Sequence, residues 1–336
     1  MMSYERRHVG TARLEILESG RTDDRLSVMA REVRAGLGTA PRSLPPKYFY
    51  DEVGSRLFDA ICDLPEYYLT RAERGLLERH ASEIVERSDA GTLVEIGSGM
   101  ARKTGLLVQA MCARGGSPRY VPFDIAPSAI AASARSILPE HPSLTIHGVV
   151  GDFAYDLHRV AIAAPPTRGP RLFAFLGSTL GNLDETQAPA LVRDVSRLMT
   201  ARDRFLLGVD LVKDERRLVA AYDDAAGVTA AFNRNVLTVL SREMNGDFDV
   251  DAFRHLARWN APAERIEMHL VSSRHQHVHL RSAGLRFQLQ EEETIHTEIS
   301  RKFTRTSVER TLFQGAMHLV DWWTDGDFAL VLAARA

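Results

Sequence analysis

The sequence predicts an α/β fold, a doubly wound parallel sheet interrupted late in the chain by an inserted α+β lobe. Three observations carry that prediction. A short apolar run, Leu93–Ile96, ends in Gly97-Ser98-Gly99 and leads into a helix-like segment (Leu106, Leu107, Val108, Ala110, Met111). Strand, glycine turn, helix is how a wound sheet opens. Strand-like and helix-like segments then alternate as far as Leu211, the βαβ grammar of a parallel sheet. Beyond Leu211 that grammar gives way to helices and consecutive strand-like runs before a final helix and strand pair.

Residues 1–25 are charged and without periodicity, and read as a loosely held tail. Val28, Met29, Val33 and Leu37 recur at helical spacing, so Leu26–Leu37 is predicted helical, with Gly38 to end it. The prolines of Ala40–Tyr50 argue for an extended segment. Val53–Leu64 suits a short helix, and Thr70 with Glu73 three residues on reads as the capping box of the next one. Strands are predicted at Leu93–Ile96, Tyr120–Ile125, Leu144–Val150, Leu172–Leu176 and Phe205–Leu211, with helices near Lys103–Ala113, Pro127–Leu138 and Gln187–Met199. In the insertion, Asp214–Asn235 and Asn235–Met244 read as helical. Arg265–Ser272, His275–Leu280, Leu285–Leu289 and Thr294–Ser300 read as strands. A helix at Ser307–Met317 and strands at Leu319–Trp323 and Phe328–Ala333 close the chain.

At 336 residues there is material for one large domain or two. The 42 basic and 44 acidic residues leave a net charge of −2, so no nucleic-acid partner is expected. Cys62 and Cys112 lack metal-ligand spacing and read as idle thiols of a reducing compartment. No run approaches the ~20 apolar residues of a membrane span. The opening MMSYERRHVG lacks the apolar core of a secretory leader, so a cytoplasmic protein without membrane contact is expected.

The glycine turn alone does not choose a cofactor, since a dinucleotide site begins the same way. Asp124 ends the second strand, where a carboxylate can accept from ribose hydroxyls, and a nicotinamide enzyme would place an acid there too. Asp152-Phe153 after the third strand adds an acid for an adenine amino group beside a ring for stacking. The turn follows Glu95 and lacks the third glycine of the dinucleotide set, Arg102 standing in its place. A pyrophosphate prefers the full set, whereas S-adenosylmethionine (SAM) has no phosphate to cradle, and SAM is therefore favoured over NAD. The fourth strand leads into Phe175–Asn182 (FLGSTLGN), a loop that borders the cofactor crevice in such a sheet. Asn182 there offers both a donor and an acceptor to an amino acid.

Read together, PPKYFYDEVGSRLFDAICDLPEYYLTRAE, LVEIGSG, PFDI, GDF, FLGSTLGN, DLVKD, AYDDAAGVTAAFNRN and DWWTD resemble the histidine-specific SAM-dependent methyltransferases of ergothioneine biosynthesis. The resemblance runs from about Arg31 to the C-terminus. It implies trimethylation of the α-amino group of L-histidine to hercynine, with S-adenosylhomocysteine as co-product and no metal. A Rossmann-type SAM methyltransferase domain (71–212 plus 302–336) and a substrate-binding domain (26–70 plus 213–301) are implied, outside the tail 1–25. The SAM site would use Gly97, Ser98, Lys103, Asp124, Asp152 and Phe153. The histidine site would use Tyr67, Gly177, Asn182, Tyr222, Met268, Glu298 and Ser300, with Tyr50 and Phe58 near the amine. L-histidine is the partner expected, and a monomer the expected state.

The chemistry fits these residue types. Neutral imidazole carries one N–H donor and one acceptor. Glu298 and Ser300, two apart in a strand, share a face on which a carboxylate takes the N–H and a hydroxyl serves the other nitrogen. Tyr67 adds a polar contact, Met268 packs on the ring, and Tyr222 with Asn182 holds the carboxylate. No strong base stands near the FLGSTLGN loop. Positioning and desolvation then carry catalysis, with Asn182 orienting the amine and Tyr50 or a water taking the proton. Tyr50 and Phe58 offer faces to the quaternary ammonium product. Two alternatives stay open: another free amino acid or amine as acceptor, and a SAM-binding module without turnover. His275, His277 and His279 alternate but come from one segment, so they read as strand-surface residues, not a zinc site.

Overall fold

The computed structural model describes residues 6–7, 13–18, 22–99, 101 and 103–336. Met100, Arg102 and much of the expected N-terminal tail lie outside the described residues. The chain divides into two compact units, one of residues 1–20, 69–212 and 303–336, the other of 21–68 and 213–302.

The first unit is built on a nine-stranded sheet. Its spatial order is Arg6–Arg7, Leu14–Leu17, Thr145–Val150, Arg119–Asp124, Thr92–Ile96, Arg171–Phe175, Arg204–Asp210, Phe328–Arg335, Met317–Thr324. The chain enters the middle at Thr92–Ile96 and steps outward through Arg119–Asp124 to Thr145–Val150. It then returns to the other side for Arg171–Phe175 and Arg204–Asp210, all in parallel pairs. The switch point therefore falls between Thr92–Ile96 and Arg171–Phe175, where loops leaving the carboxyl ends diverge and ligands fit. Thr92–Ile96 and Arg171–Phe175 are buried at every position, which is why they read as largely apolar runs in spite of Glu95 and Arg171. Val94, Ile96, Val121, Phe123, Phe173, Phe175 and Phe205 join one core that fixes the strand ends carrying the site.

The expected tail is corrected here. Leu14–Leu17 forms a strand paired in parallel with Thr145–Val150, Leu14 opposite Ile146 and Leu17 opposite Val149. Ile16 and Leu17 are buried, and that apolar pair anchors the strand between Arg6–Arg7 and Thr145–Val150. The following helix starts at Thr22, not Leu26.

In the second unit a four-stranded sheet runs Arg42–Ser43, Thr294–Arg301, Arg265–Ser272, Phe253–Asn260, beside a hairpin of Gln276–Leu280 with Leu285–Leu289. Phe253–Asn260 was not foreseen from sequence. Its burial alternates only loosely, with charged residues between apolar ones. Met268 pairs with Glu298 and Ile266 with Ser300, so these four side chains share one face. Asp214–Asn235 is not one helix. Asp214 caps Glu215–Ala220 through the N–H groups of Arg216 and Arg217, and the chain turns at Gly227 before Val228–Glu243. Asp224 is buried and accepts the N–H groups of Val228 and Thr229 at 2.9 and 2.7 Å. It satisfies donors that open the second helix.

Candidate active site

At the carboxyl end of Thr92–Ile96 the chain turns on Gly97 (φ +68°) and Gly99 (φ +50°), conformations that cost a side-chain-bearing residue about 1–2 kcal/mol. Among the described residues, leaving aside its chain neighbours, a Cβ on Gly99 would meet nothing within 4 Å. Asp124, at the end of the neighbouring strand, accepts the Gly99 N–H at 2.8 Å and the Ala126 N–H at 2.9 Å, one on each carboxylate oxygen. Burial pushes its carboxyl above the usual range, and the backbone N–H groups of Ala126, Gly99 and Ile125 pull it back. Two bonds thus fix the carboxylate's orientation and leave lone pairs for ribose hydroxyls. Beneath the turn, buried Glu95 accepts from Thr104 Oγ1 at 2.6 Å and from Tyr120 OH at 2.5 Å, and burial pushes it up to about 7. It ties the helix after the turn to the adjacent strand. Asp152 caps a short helix by accepting the Ala154 N–H, and Phe153 meets Phe175 edge-on at 5.8 Å. A glycine turn, an oriented acid and a ring beside a strand end suit an adenosyl group.

Glu73 is the residue sequence reasoning misread. Its helix begins at Leu69, and its carboxylate is wholly buried instead of capping Thr70. It pairs with Lys103 Nζ and accepts the Gly177 N–H at 2.7 and 3.0 Å. A Cβ on Gly208 would stand 1.9 Å from Glu73 Oε1, so that glycine makes the carboxylate's room. One acid thereby joins the helix after the glycine turn, through Lys103, to the Gly177–Asn182 loop. In that loop Ser178 sits in the left-handed region (φ +57°) while its Oγ accepts the Asp210 N–H at 2.9 Å. Asn182 follows, half-buried, at the end of the turn Thr179–Asn182.

The second unit gathers the other expected residues. Tyr50 lies edge-on to Phe58 and to Phe232, both at 5.7 Å; Phe58 meets Tyr67 at 6.3 Å, and Tyr67 meets Tyr222 at 6.1 Å. Tyr222 OH and Ser300 Oγ are 2.7 Å apart. Sequence reasoning gave these two hydroxyls to different ends of a ligand; the structure joins them in one group. It also supplies a residue sequence reasoning missed. Lys302, buried, donates to Tyr222 OH and Ser300 Oγ at 3.0 Å each, with its Nζ 4.6 Å from the Tyr222 ring centroid. The only signal for Lys302 was its spacing, two beyond Ser300. Met268 is buried opposite Glu298. Among the described residues the Glu298 carboxylate makes no side-chain hydrogen bond, and burial pushes it up to about 7 against the charge of Lys302. On the neighbouring strand Glu267 shows the opposite case. It is buried, yet bonds from Arg265, Asn260 and Arg258 hold it at about 2. Among the described residues no group of His, Cys, Asp or Glu is arranged to hold a metal ion, and no helix is long and apolar enough to cross a membrane.

A wound sheet with an adenosyl-type turn at its switch point, in a chain that also gathers aromatic rings around polar groups, defines the SAM-dependent methyltransferase class. Within it the chain belongs to one family, for residues 29–335 match the model of the histidine-specific, SAM-dependent methyltransferases. It is 47% identical over 309 residues to a histidine N-alpha-methyltransferase of Mycobacterium tuberculosis (strain CDC 1551 / Oshkosh), covering 91% of this chain and 95% of that one. The corresponding protein of Mycolicibacterium smegmatis (strain ATCC 700084 / mc(2)155) is 46% identical over 315 residues, covering 93% and 97%. Ergothioneine biosynthesis protein 1 of Neurospora crassa is 28% identical over 313 residues, covering 88% of this chain and 33% of that longer protein.

The SAM reading of Asp124 has a graded expectation. Asp124→Ala leaves the Gly99 and Ala126 N–H groups without their acceptor and removes the carboxylate expected to take ribose hydroxyls, so SAM affinity is expected to fall at least about tenfold by calorimetry. Asp124→Asn keeps one acceptor oxygen and loses less. Equal losses in both would show that the single oxygen kept by the amide contributes nothing to SAM binding.

Proposed function

We infer that the protein transfers three methyl groups from SAM to the α-nitrogen of L-histidine, giving hercynine, the first step of ergothioneine biosynthesis. Identity of 47% along 91% of the chain with a histidine N-alpha-methyltransferase supports the reaction. The geometric observation that carries the acceptor is Glu298, a half-buried carboxylate with no side-chain partner among the described residues, on the strand face it shares with Ser300. Such an acceptor beside hydroxyl donors matches a neutral imidazole, N–H to Glu298 and lone pair to a hydroxyl.

Gly97, Ser98, Lys103, Asp124, Asp152 and Phe153 are proposed to hold SAM, which when bound supplies a methyl group made electrophilic by its sulfonium. The substrate's amino-acid end is proposed for Asn182, Gly177 and Tyr222, and its ring for Glu298, Ser300, Tyr67 and Met268. The α-ammonium loses one proton before each transfer, so three protons leave over three rounds. With no strong base assigned, Tyr50 passes the proton on while Asn182 orients the lone pair. The growing cation gains from the faces of Tyr50 and Phe58 by roughly 0.5–2 kcal/mol. Reaction as a monomer in the cytoplasm, with no metal and S-adenosylhomocysteine released, completes the reading.

The test is incubation with SAM and each proteinogenic amino acid in turn, read by product mass. A gain of three methyl groups on histidine alone is the expected result. Methylated tryptophan would overturn the substrate, and SAM binding without any methylated product would favour a module without turnover.

A further inference from the structure

The second unit holds a buried cation that no step above uses. Lys302 follows the strand bearing Glu298 and Ser300, and its ammonium donates to Ser300 Oγ and Tyr222 OH at 3.0 Å each while those two oxygens bond each other at 2.7 Å. An ammonium donates and never accepts, so it occupies acceptor sites on both hydroxyls. One of the two hydroxyl protons lies in the bond between Tyr222 and Ser300, so one is left to turn outward, away from Nζ. Tyr222 is also held from the side, with the cation 4.6 Å from its ring centroid and the Tyr67 ring 6.1 Å away.

Resting on the histidine reading, we propose that Lys302 is a positioning residue of the substrate site. It sets the Tyr222–Ser300 pair so that one hydroxyl is a directed donor, and its charge keeps Glu298 an acceptor for the imidazole N–H. The charged and titratable groups around Glu298 are few. Lys302 lowers its proton affinity and Tyr67, itself near Tyr50 and Tyr222, feels its charge; the backbone of Glu298 raises the proton affinity of the His296 ring. Tyr67 and His296 are neutral when Glu298 ionises, since burial pushes Tyr67 up and His296 down. Lys302 is thus the cation of the group. Without it the carboxylate keeps its proton to higher pH, and a protonated carboxyl presents one acceptor fewer.

The experiment compares wild type, Lys302→Met, Lys302→Gln and Lys302→Arg in histidine-saturation kinetics from about pH 5 to about pH 9, with SAM affinity by calorimetry. Expected for Lys302→Met is a histidine KM raised by about tenfold or more, a smaller change in kcat, SAM affinity within about twofold, and the acid limb of kcat/KM moved up by about one pH unit. Lys302→Arg recovers most of the KM and the limb. A merely structural lysine would lower folded yield without moving the limb. Wild-type KM and an unmoved acid limb in Met and Gln variants would overturn the proposal. If Lys302→Met does not fold, Lys302→Gln against Lys302→Arg decides by the same limb. Failure of the wild type to methylate histidine would instead sink the underlying reading, which keeps the two failures distinct.

Discussion

Glu73→Ala lowers thermal stability and SAM affinity together, because one carboxylate serves both. It is wholly buried, paired with Lys103 and bonded to the Gly177 N–H. Removing it leaves an ammonium without its counter-charge and a loop N–H without its acceptor. Breaking a buried pair from one side costs about 3–5 kcal/mol. Lys103 keeps 21% of its side chain exposed, so it can face a ligand while Glu73 holds it from behind. Loss of that hold weakens SAM binding by about tenfold or more. Glu73→Gln keeps the shape and an acceptor for Gly177 but not the charge, and so retains more stability than SAM affinity. Gly208→Ala tests the same node from the opposite side, since its new Cβ would stand 1.9 Å from Glu73 Oε1 and displace the carboxylate. Melting curves and SAM calorimetry on all three variants check this. Wild-type SAM affinity in both Glu73→Ala and Gly208→Ala would show that the carboxylate supports the core without ordering the turn.

That node also marks where sequence stops being legible. The five central strands and the turn Gly97–Gly99 could be read because buried parallel strands are continuous apolar runs and their crossovers are short amphipathic helices. Tyr222, Glu298 and Ser300 came from the family resemblance, and the strand period added only that Glu298 and Ser300 share a face. Glu73 was misread because Thr70-x-x-Glu73 has the local form of a capping box. Its true partners, at Lys103 and Gly177, lie beyond any local rule. Lys302 was passed over for a similar reason, as only tertiary contact turns a lysine after a strand into a buried donor. Leu14–Leu17 is four residues long in a charged stretch, and its partner strand starts at Thr145. Pairing at that separation leaves no periodic trace near either strand.

Glu298 offers the sharpest pH signature, and its sign differs from that of an ordinary paired carboxylate. The folded carboxyl holds its proton up to about 7, against an ordinary value of 4.5. Between those values the folded protein binds more protons than the unfolded one, so stability falls as pH rises through that window. Glu298→Gln removes the penalty. It should gain on the order of 1–3 kcal/mol near pH 8 and nothing near pH 4, read as the difference between denaturant midpoints at the two pH values. Catalysis moves the other way. Glu298→Ala loses the acceptor for the ring N–H, and histidine KM rises by about a hundredfold, while Glu298→Gln keeps an acceptor oxygen and loses less. In the wild type, kcat/KM for histidine falls below about pH 7 as Glu298 takes up its proton and the free imidazole takes up its own. The Gln variant keeps only the ligand's limb, so its profile falls less steeply toward acid. A variant that is more stable, binds histidine worse and has lost one proton from its acid limb fits only a carboxylate that buys specificity with stability. Wild-type affinity and slope in Glu298→Gln and Glu298→Ala alike would remove Glu298 from the substrate site, whatever the stability gain.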